Sequence, residues 1–312
     1  MRIFYFNITY ACNSRCIFCA ADHPLQLNDT RQMSLEEFQK VLTLNNVGTG
    51  DRVIINGGEP TVHPDFFAFL EAVQRTGAKI DLFTNGKRLQ ELSFTKHLME
   101  QTNIHIRVPL FGASAEVHDQ LTGQGGNFAA VTRGLDNALQ NLHSGITLEI
   151  KMLLSKTTVM ENEKIYDLIL KRWNSPLVRI SLNPLLISGM VIQNKELFLD
   201  SYEKLLRGSK RLIENAQKGE MLFSTALIPF CAYPDDFHSQ IPARIRKVTQ
   251  RVYSDPSETT EEDGTKGRNP CRSCVYFGSC SGYPVSYVKY FGTGVMKPFL
   301  KNCSSENRGD TV

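Results

Sequence analysis

The feature that most restricts how this chain can fold is an alternation of period. Between residues 3 and 182, short apolar, β-rich runs take turns with longer segments of helical period. The runs predict strands at 3–10, 52–56, 79–83, 105–110, 147–154 and 177–182, with helices at 34–44, 64–76, 89–101, 128–142 and 162–171 between them. The first helix opens with Ser34 followed three residues later by Glu37, the pattern of a capping box. Repeated βα units wrap helices around a parallel sheet, so the expected fold class is α/β, a partial (β/α)6 TIM-like barrel with its chemistry at the carboxyl ends of the strands. Six units do not close an eight-membered ring. The gap they leave gives a large substrate a lateral way in.

The boundary is expected near residue 194, with the barrel over 1–194 and a linker helix plus a small cysteine-rich domain over 195–312. Residues 195–219 read as the helix leading out of the barrel, and the acidic, polar stretch 254–269 reads as a loop. A formal charge of +3, from 35 basic and 32 acidic residues, provides no strong field for a nucleic-acid or membrane partner. The N-terminus lacks a secretory signal, and no apolar run reaches the roughly 18 residues of a membrane span. A cytoplasmic location is therefore expected, where thiols stay reduced and the eight cysteines are not a disulfide framework.

The grouping of those cysteines matters more than their number. Cys12, Cys16 and Cys19 form a C-x3-C-x2-C run directly after the first predicted strand, in a loop at the carboxyl edge of the sheet. No helix or strand packing rule asks for such spacing. A cubane iron–sulfur cluster takes one soft anionic ligand per iron, and three thiolates leave one iron open. A zinc site is the alternative, although zinc sites favour paired C-x2-C elements or histidine partners. After the second strand comes Gly57-Gly58-Glu59-Pro60, in which glycines permit close backbone approach, Glu59 is an anionic acceptor and Pro60 fixes the exit. After the third comes Thr84-Asn85-Gly86.

These residues resemble the radical S-adenosylmethionine (SAM) superfamily. The cysteine run matches its signature, with Phe18 at the aromatic position before the third cysteine; Gly57 to Pro60 looks like its GGEP motif and Thr84 to Gly86 like its TNG turn. The resemblance implies a [4Fe–4S] cluster on Cys12, Cys16 and Cys19 whose open iron binds SAM, and a cofactor site formed by Gly57, Gly58, Glu59, Pro60, Thr84 and Asn85. Glu59 would bind the methionine amino group. Reductive cleavage of SAM would then release a 5′-deoxyadenosyl radical that abstracts a substrate hydrogen. Lys151 is suitably placed to pair with the cofactor carboxylate, or is simply a barrel-lining lysine. Asn183, at the start of the loop 183–189, is the polar candidate near the adenine. One departure stands out: Pro109-Leu110-Phe111-Gly112 replaces the Ser-Leu-Asp-Gly common in the family, which removes a polar side chain from the expected pocket. His118 and Asp119 read as an acid–base pair or as a solvent-facing helix start.

A second group, Cys271, Cys274 and Cys280, makes a C-x2-C-x5-C-x-G run similar to the SPASM and twitch extensions of the family, which hold auxiliary [4Fe–4S] clusters. Pro284 stands where a full SPASM domain has another cysteine, so one auxiliary cluster is expected, with Cys231 preferred over Cys303 as fourth ligand. A zinc knuckle is the alternative. Tyr283, Tyr287 and Tyr290 are expected to pack around the cluster.

By analogy the chain would modify a ribosomally made peptide by a cross-link, a thioether or an epimerisation, with an electron donor such as flavodoxin or ferredoxin and, because the chain starts at the first barrel strand, a separate leader-peptide-binding protein or a direct groove for the peptide. The alternatives are a radical dehydrogenase or rearrangement enzyme acting on a small metabolite, and a non-catalytic metal-stabilised binding protein.

Overall fold

The computed structural model describes residues 1–20, 31–218, 221–225, 228–235, 250–253, 271–277, 280 and 282–300. Cys303 and the acidic stretch 254–269 lie outside them.

Strand β1, Arg2–Thr9, buries Phe4, Phe6 and Ile8 on one face. The strands that follow are mostly buried on both faces: β2 (Arg52–Gly57), β3 (Lys79–Phe83), β4 (Ile104–Pro109), β5 (Ile146–Leu154) and β6 (Val178–Pro184). All pair in parallel with their sequence neighbours. Two short strands unforeseen from the sequence extend the edges: β7 (Leu222–Thr225) beside β6, and β8 (Gln250–Tyr253) beside β1. The sheet order is therefore β7-β6-β5-β4-β3-β2-β1-β8, with β7 and β8 at its ends. Four-residue strands carry too little period-2 pattern to be read ahead of the fold.

Helices α1 (Leu35–Leu44), α2 (Phe66–Thr76), α3 (Leu92–Met99), α4 (Ala115–Thr122), α5 (Asn127–Gln140) and α6 (Glu161–Arg172) fall between the strands up to β6. The Ser34–Glu37 capping box is present in full. Their apolar stripes, among them Phe38, Phe69, Leu70, Leu98, Leu135 and Ile169, bury against the sheet face carrying Phe4, Phe6, Val53, Ile80, Ile106 and Ile150. Each fully buried side chain of this kind contributes about 1.5–3 kcal/mol. The segment predicted to follow the barrel as one helix is three, α8 (Lys195–Phe198), α9 (Tyr202–Gly208), capped by the Ser201 hydroxyl, and α10 (Lys210–Lys218), with a further short helix, α7 (Met190–Gln193), just before it. A last helix, α11 (Val285–Phe291), sends Tyr287 and Val288 into the same core.

The opposite sheet face is polar. Arg52, Asp81, His105, Arg107, Glu149, Ser181 and Asn183 are joined across five adjacent strands, β2 to β6. A closed barrel fills this space with branched aliphatic side chains. Here the interior wall is charged and hydrogen-bonded, and it borders a cavity at the strand ends.

Candidate active site

The cysteine loop is held by its backbone. The Arg15 and Ile17 N–H groups donate to the Thr122 and Leu121 carbonyls (both 3.0 Å), satisfying carbonyls that the last turn of α4 leaves open. Cys19 N–H donates to Cys16 O (3.1 Å), the Asn194 amide donates to Ile17 O (2.9 Å), and Met190 N–H to Cys19 O (2.9 Å). On the other side the Gly58 and Glu59 N–H groups donate to Thr9 O and Ala11 O (both 2.8 Å). A Cβ on Gly57 would lie 2.1 Å from Thr9 O, and one on Gly58 2.3 Å from Ala11 O. The paired glycines thus let the β2 loop press against the cysteine loop itself.

Glu59 is buried at this junction. Its Oε1 accepts from Thr61 N–H (3.1 Å), the Thr61 hydroxyl (2.6 Å) and the Thr84 hydroxyl (2.6 Å), and Oε2 accepts from Asn85 N–H (2.6 Å). Burial raises its pKa against the opposing pull of these donors. The Asn85 amide reaches back to Asn13 Oδ1 (2.6 Å), tying the turn after β3 to the cysteine loop. Three motifs far apart in sequence therefore meet.

A cavity of about 340 Å³ opens beside them. Cys16, Cys19, Gly58, Glu59, Thr84 and Asn85 form one wall, Lys151 and Asn183 another, and Phe18, Phe111 and Leu153 an apolar side. Gly57 and Pro60 do not reach its lining, and Cys12 faces a separate outer groove with Asn13, Arg15 and Lys87. Lys151 Nζ sits 4.7 Å over the Phe83 ring and has no ion-pair partner among the described residues. Burial and the neighbouring Arg107 charge bring its pKa down to about 8. Asn183 donates to Ser181 Oγ (2.8 Å), which donates to Glu149 Oε1 (2.6 Å). Phe111, from the departing Pro-Leu-Phe-Gly segment, packs edge-to-face at 4.6 Å against Phe18 between the second and third cysteines, so the missing polar group is replaced by a hydrophobic seal.

The expected solvent-facing helix start at His118 is corrected. His118 lies inside α4, 1% exposed, and its Nδ1 accepts from Phe111 N–H at 3.2 Å. Burial lowers its pKa to about 4, which keeps the ring neutral. Asp119 accepts from Gly126 N–H (2.6 Å) and Phe128 N–H (2.7 Å), capping the start of α5.

The charged ladder was legible only as period-2 polar positions on successive strands. The Arg52 guanidinium donates to both Asp81 oxygens; His105 Nδ1 lies 3.5 Å from Asp81 and its Nε2 2.9 Å from Glu149; Arg107 approaches both carboxylates at 3.4 and 3.6 Å. Burial alone would raise both acids. The close approach of His105 and the arginine charges outweigh it, and each is held at about 2.

In the C-terminal part, Cys231, Cys271, Cys274 and Cys280 line one small, largely apolar cavity with Phe230 and Phe277. Among the described residues, no three His, Cys, Asp or Glu side chains converge to hold a single metal ion. A cubane asks for a different arrangement, because each thiolate binds its own iron.

An open parallel α/β sheet, with a cysteine loop and a buried carboxylate meeting at the mouth of its interior cavity, defines a class of enzyme that keeps a redox group at the end of an incomplete barrel. The chain belongs to the radical SAM superfamily, which matches residues 6–169. It is 30% identical over 131 residues to the mycofactocin maturase MftC of Mycobacterium ulcerans (strain Agy99), covering 42% of this chain and 34% of that protein. It is also 30% identical over 164 residues to the Fe-coproporphyrin III synthase of Methanosarcina barkeri (strain Fusaro / DSM 804), covering 52% and 39%. In fold it resembles Streptococcus suis SuiB bound to its precursor peptide SuiA, with a TM-score of 0.62 at 17% identity over 81% of this chain and 57% of SuiB. The chain thus spans about a third of the length of the first of these curated relatives. No helix among the described residues is long and apolar enough to cross a membrane.

Membership of this superfamily implies a [4Fe–4S] cluster and SAM. The cysteine loop fits such a group, with Cys16 and Cys19 on the cavity and Cys12 on the adjoining outer groove. Burial pushes the Cys12 thiol up to about 11 and the Cys16 thiol higher still, so bare thiolates are unfavourable here and a cationic metal is the partner that would stabilise them.

Proposed function

We propose that Cys12, Cys16 and Cys19 ligate a [4Fe–4S] cluster, and that the cavity beside them binds SAM and admits a ribosomally made peptide for modification by a cross-link, a thioether or an epimerisation. When bound, these groups supply a 5′-deoxyadenosyl radical that takes a hydrogen atom from the substrate. Glu59 orients the methionine amine: the described donors leave Oε2 with a single hydrogen bond, and a carboxylate oxygen has room for another. Lys151 takes the cofactor carboxylate, an anion that would offset the destabilised ammonium. Asn183, fixed through Ser181 to Glu149, contacts the nucleoside end, while Thr84 and Asn85 hold Glu59 in place. Phe18, Phe111 and Leu153 exclude water from the reacting face.

The barrel of 1–194 would carry this chemistry and residues 195–312 an auxiliary [4Fe–4S] cluster on Cys231, Cys271, Cys274 and Cys280. Cys231 is supported as the fourth ligand because it shares one cavity with the other three. A reduced flavodoxin or ferredoxin would supply the electron.

The observation that carries the reading is the single cavity walled by Cys16, Cys19 and Glu59. The peptide substrate is supported by the likeness to a maturase and to the fold of a precursor-peptide complex; the similarity to Fe-coproporphyrin III synthase supports a small-molecule reading instead. Protein reconstituted anaerobically and reduced with dithionite is expected to form 5′-deoxyadenosine from SAM, and Cys16→Ala to form none. A precursor peptide encoded beside this chain should stimulate that turnover and change mass. Stimulation by a metabolite alone would favour the second reading, and no deoxyadenosine from iron-loaded protein would sink both.

A further inference from the structure

The sulfur atoms of the C-terminal cavity are not left to apolar surroundings. Gly282, whose φ of 75° lets the chain turn directly after the last cysteine, donates its N–H to Cys280 Sγ at 3.4 Å. Cys231 shares the cavity lining with Tyr283 and Lys297, which brings the Tyr283 hydroxyl and the Lys297 backbone N–H to its sulfur as hydrogen-bonding neighbours. Tyr283 is 3% exposed and cannot exchange this partner for water. Its ring stacks on Tyr287 at 5.1 Å and lies nearly parallel to Tyr202 at 5.9 Å. Tyr287 stacks on Tyr202 at 4.0 Å, and its hydroxyl accepts from Tyr202 N–H at 2.8 Å. The stack therefore pins the Tyr283 ring between α11 and α9 and aims its hydroxyl at one sulfur.

A hydroxyl donated to a ligating thiolate stabilises the cluster state with more electron density on sulfur, which is the reduced one, and so raises the reduction potential. We infer that Tyr283 is a positioning residue for the auxiliary cluster, which sets its reduction potential through the hydrogen bond to Cys231. The inference rests on the proposed auxiliary cluster. It goes beyond the packing role expected of the tyrosines, because packing needs the ring and this role needs only the oxygen. A raised potential suits a cluster that receives an electron from the substrate side.

The test is a spectroelectrochemical titration of the fully reconstituted protein, followed by electron paramagnetic resonance. Tyr283→Phe keeps the stack and loses the oxygen. It is expected to hold about eight irons like the parent, with the auxiliary potential moved negative and that of the N-terminal cluster unmoved. Incorporating 2,3-difluorotyrosine at position 283, a stronger donor of the same shape, should move the auxiliary potential positive. Unchanged potentials in two-cluster protein would overturn the inference while leaving the auxiliary cluster standing. Loss of the auxiliary irons from Tyr283→Phe, with no shift from the fluorinated residue, would return Tyr283 to packing and also overturn it. A parent protein binding only about four irons would instead remove the auxiliary-cluster reading beneath it.

Discussion

At the scale of single residues, Glu59 and Asp81 show how the same side-chain chemistry serves different ends. Both are buried acids, yet burial wins at Glu59 and raises it, whereas at Asp81 the contacts with His105, Arg107 and Arg52 win and lower it. The difference is the partner. Glu59 accepts only from neutral donors, so it keeps an anionic demand that a cofactor ammonium can meet. Asp81 is already neutralised and is a girder of the barrel wall. Asp81→Ala would leave Arg52 and Arg107 without a common partner on the wall, where removing one member of a buried ion pair costs about 3–5 kcal/mol. Equilibrium denaturation in urea should show that loss; a change under about 1 kcal/mol would mean that the ladder is as dispensable as a surface salt bridge.

At the scale of elements, the site is a joint between loops. The cysteine loop has almost no regular hydrogen bonding of its own, and its shape is set by the end of α4, the loop after β2 and the helices α7 and α8. Gly58 is a tight part of that joint: a methyl there would meet the Ala11 and Tyr10 carbonyl oxygens at 2.3 and 2.5 Å, which are backbone atoms that cannot swing away. Gly58→Ala should therefore displace the cysteine loop. In reconstituted protein we expect iron to fall from about eight to about four per chain, with the C-terminal cluster retained. An iron assay showing full loading would mean that the joint is softer than its geometry implies.

At the scale of the whole molecule, the interior ladder couples the fold to pH. Asp81 and Glu149 sit near 2 in the folded chain against ordinary values of 3.8 and 4.5. Depressed acids contribute stability above their unfolded values and lose it on protonation, so the folded state should weaken as pH falls from about 4.5 to about 2 and be insensitive to them at neutral pH. Thermal melts across that range test it, and in Asp81→Asn the slope should be smaller. Melts as steep in that variant as in the parent would place the sensitivity elsewhere.

Much of this architecture was legible before folding, and for a physical reason. Strand and helix periods are local, so β1 to β6 and most of the helices between them were readable. The motifs carried by Cys12, Cys16, Cys19, Glu59 and Thr84 were legible because their spacing has no structural use of its own. The short α4 is absent from the helices predicted by period because its buried polar His118 breaks the apolar stripe, and β7 and β8 are too short for a pattern. Proximity was decided by the tertiary structure alone. It turned Gly57 and Gly58 toward the cysteine loop, withdrew His118 into the core, joined polar residues of β2 to β6 into a ladder and brought Cys231 beside Cys271, Cys274 and Cys280. A sequence carries which groups exist and how each strand alternates, but desolvation and partner distance, which decide whether a carboxylate is a girder or a ligand, arise only when separate strands are laid side by side.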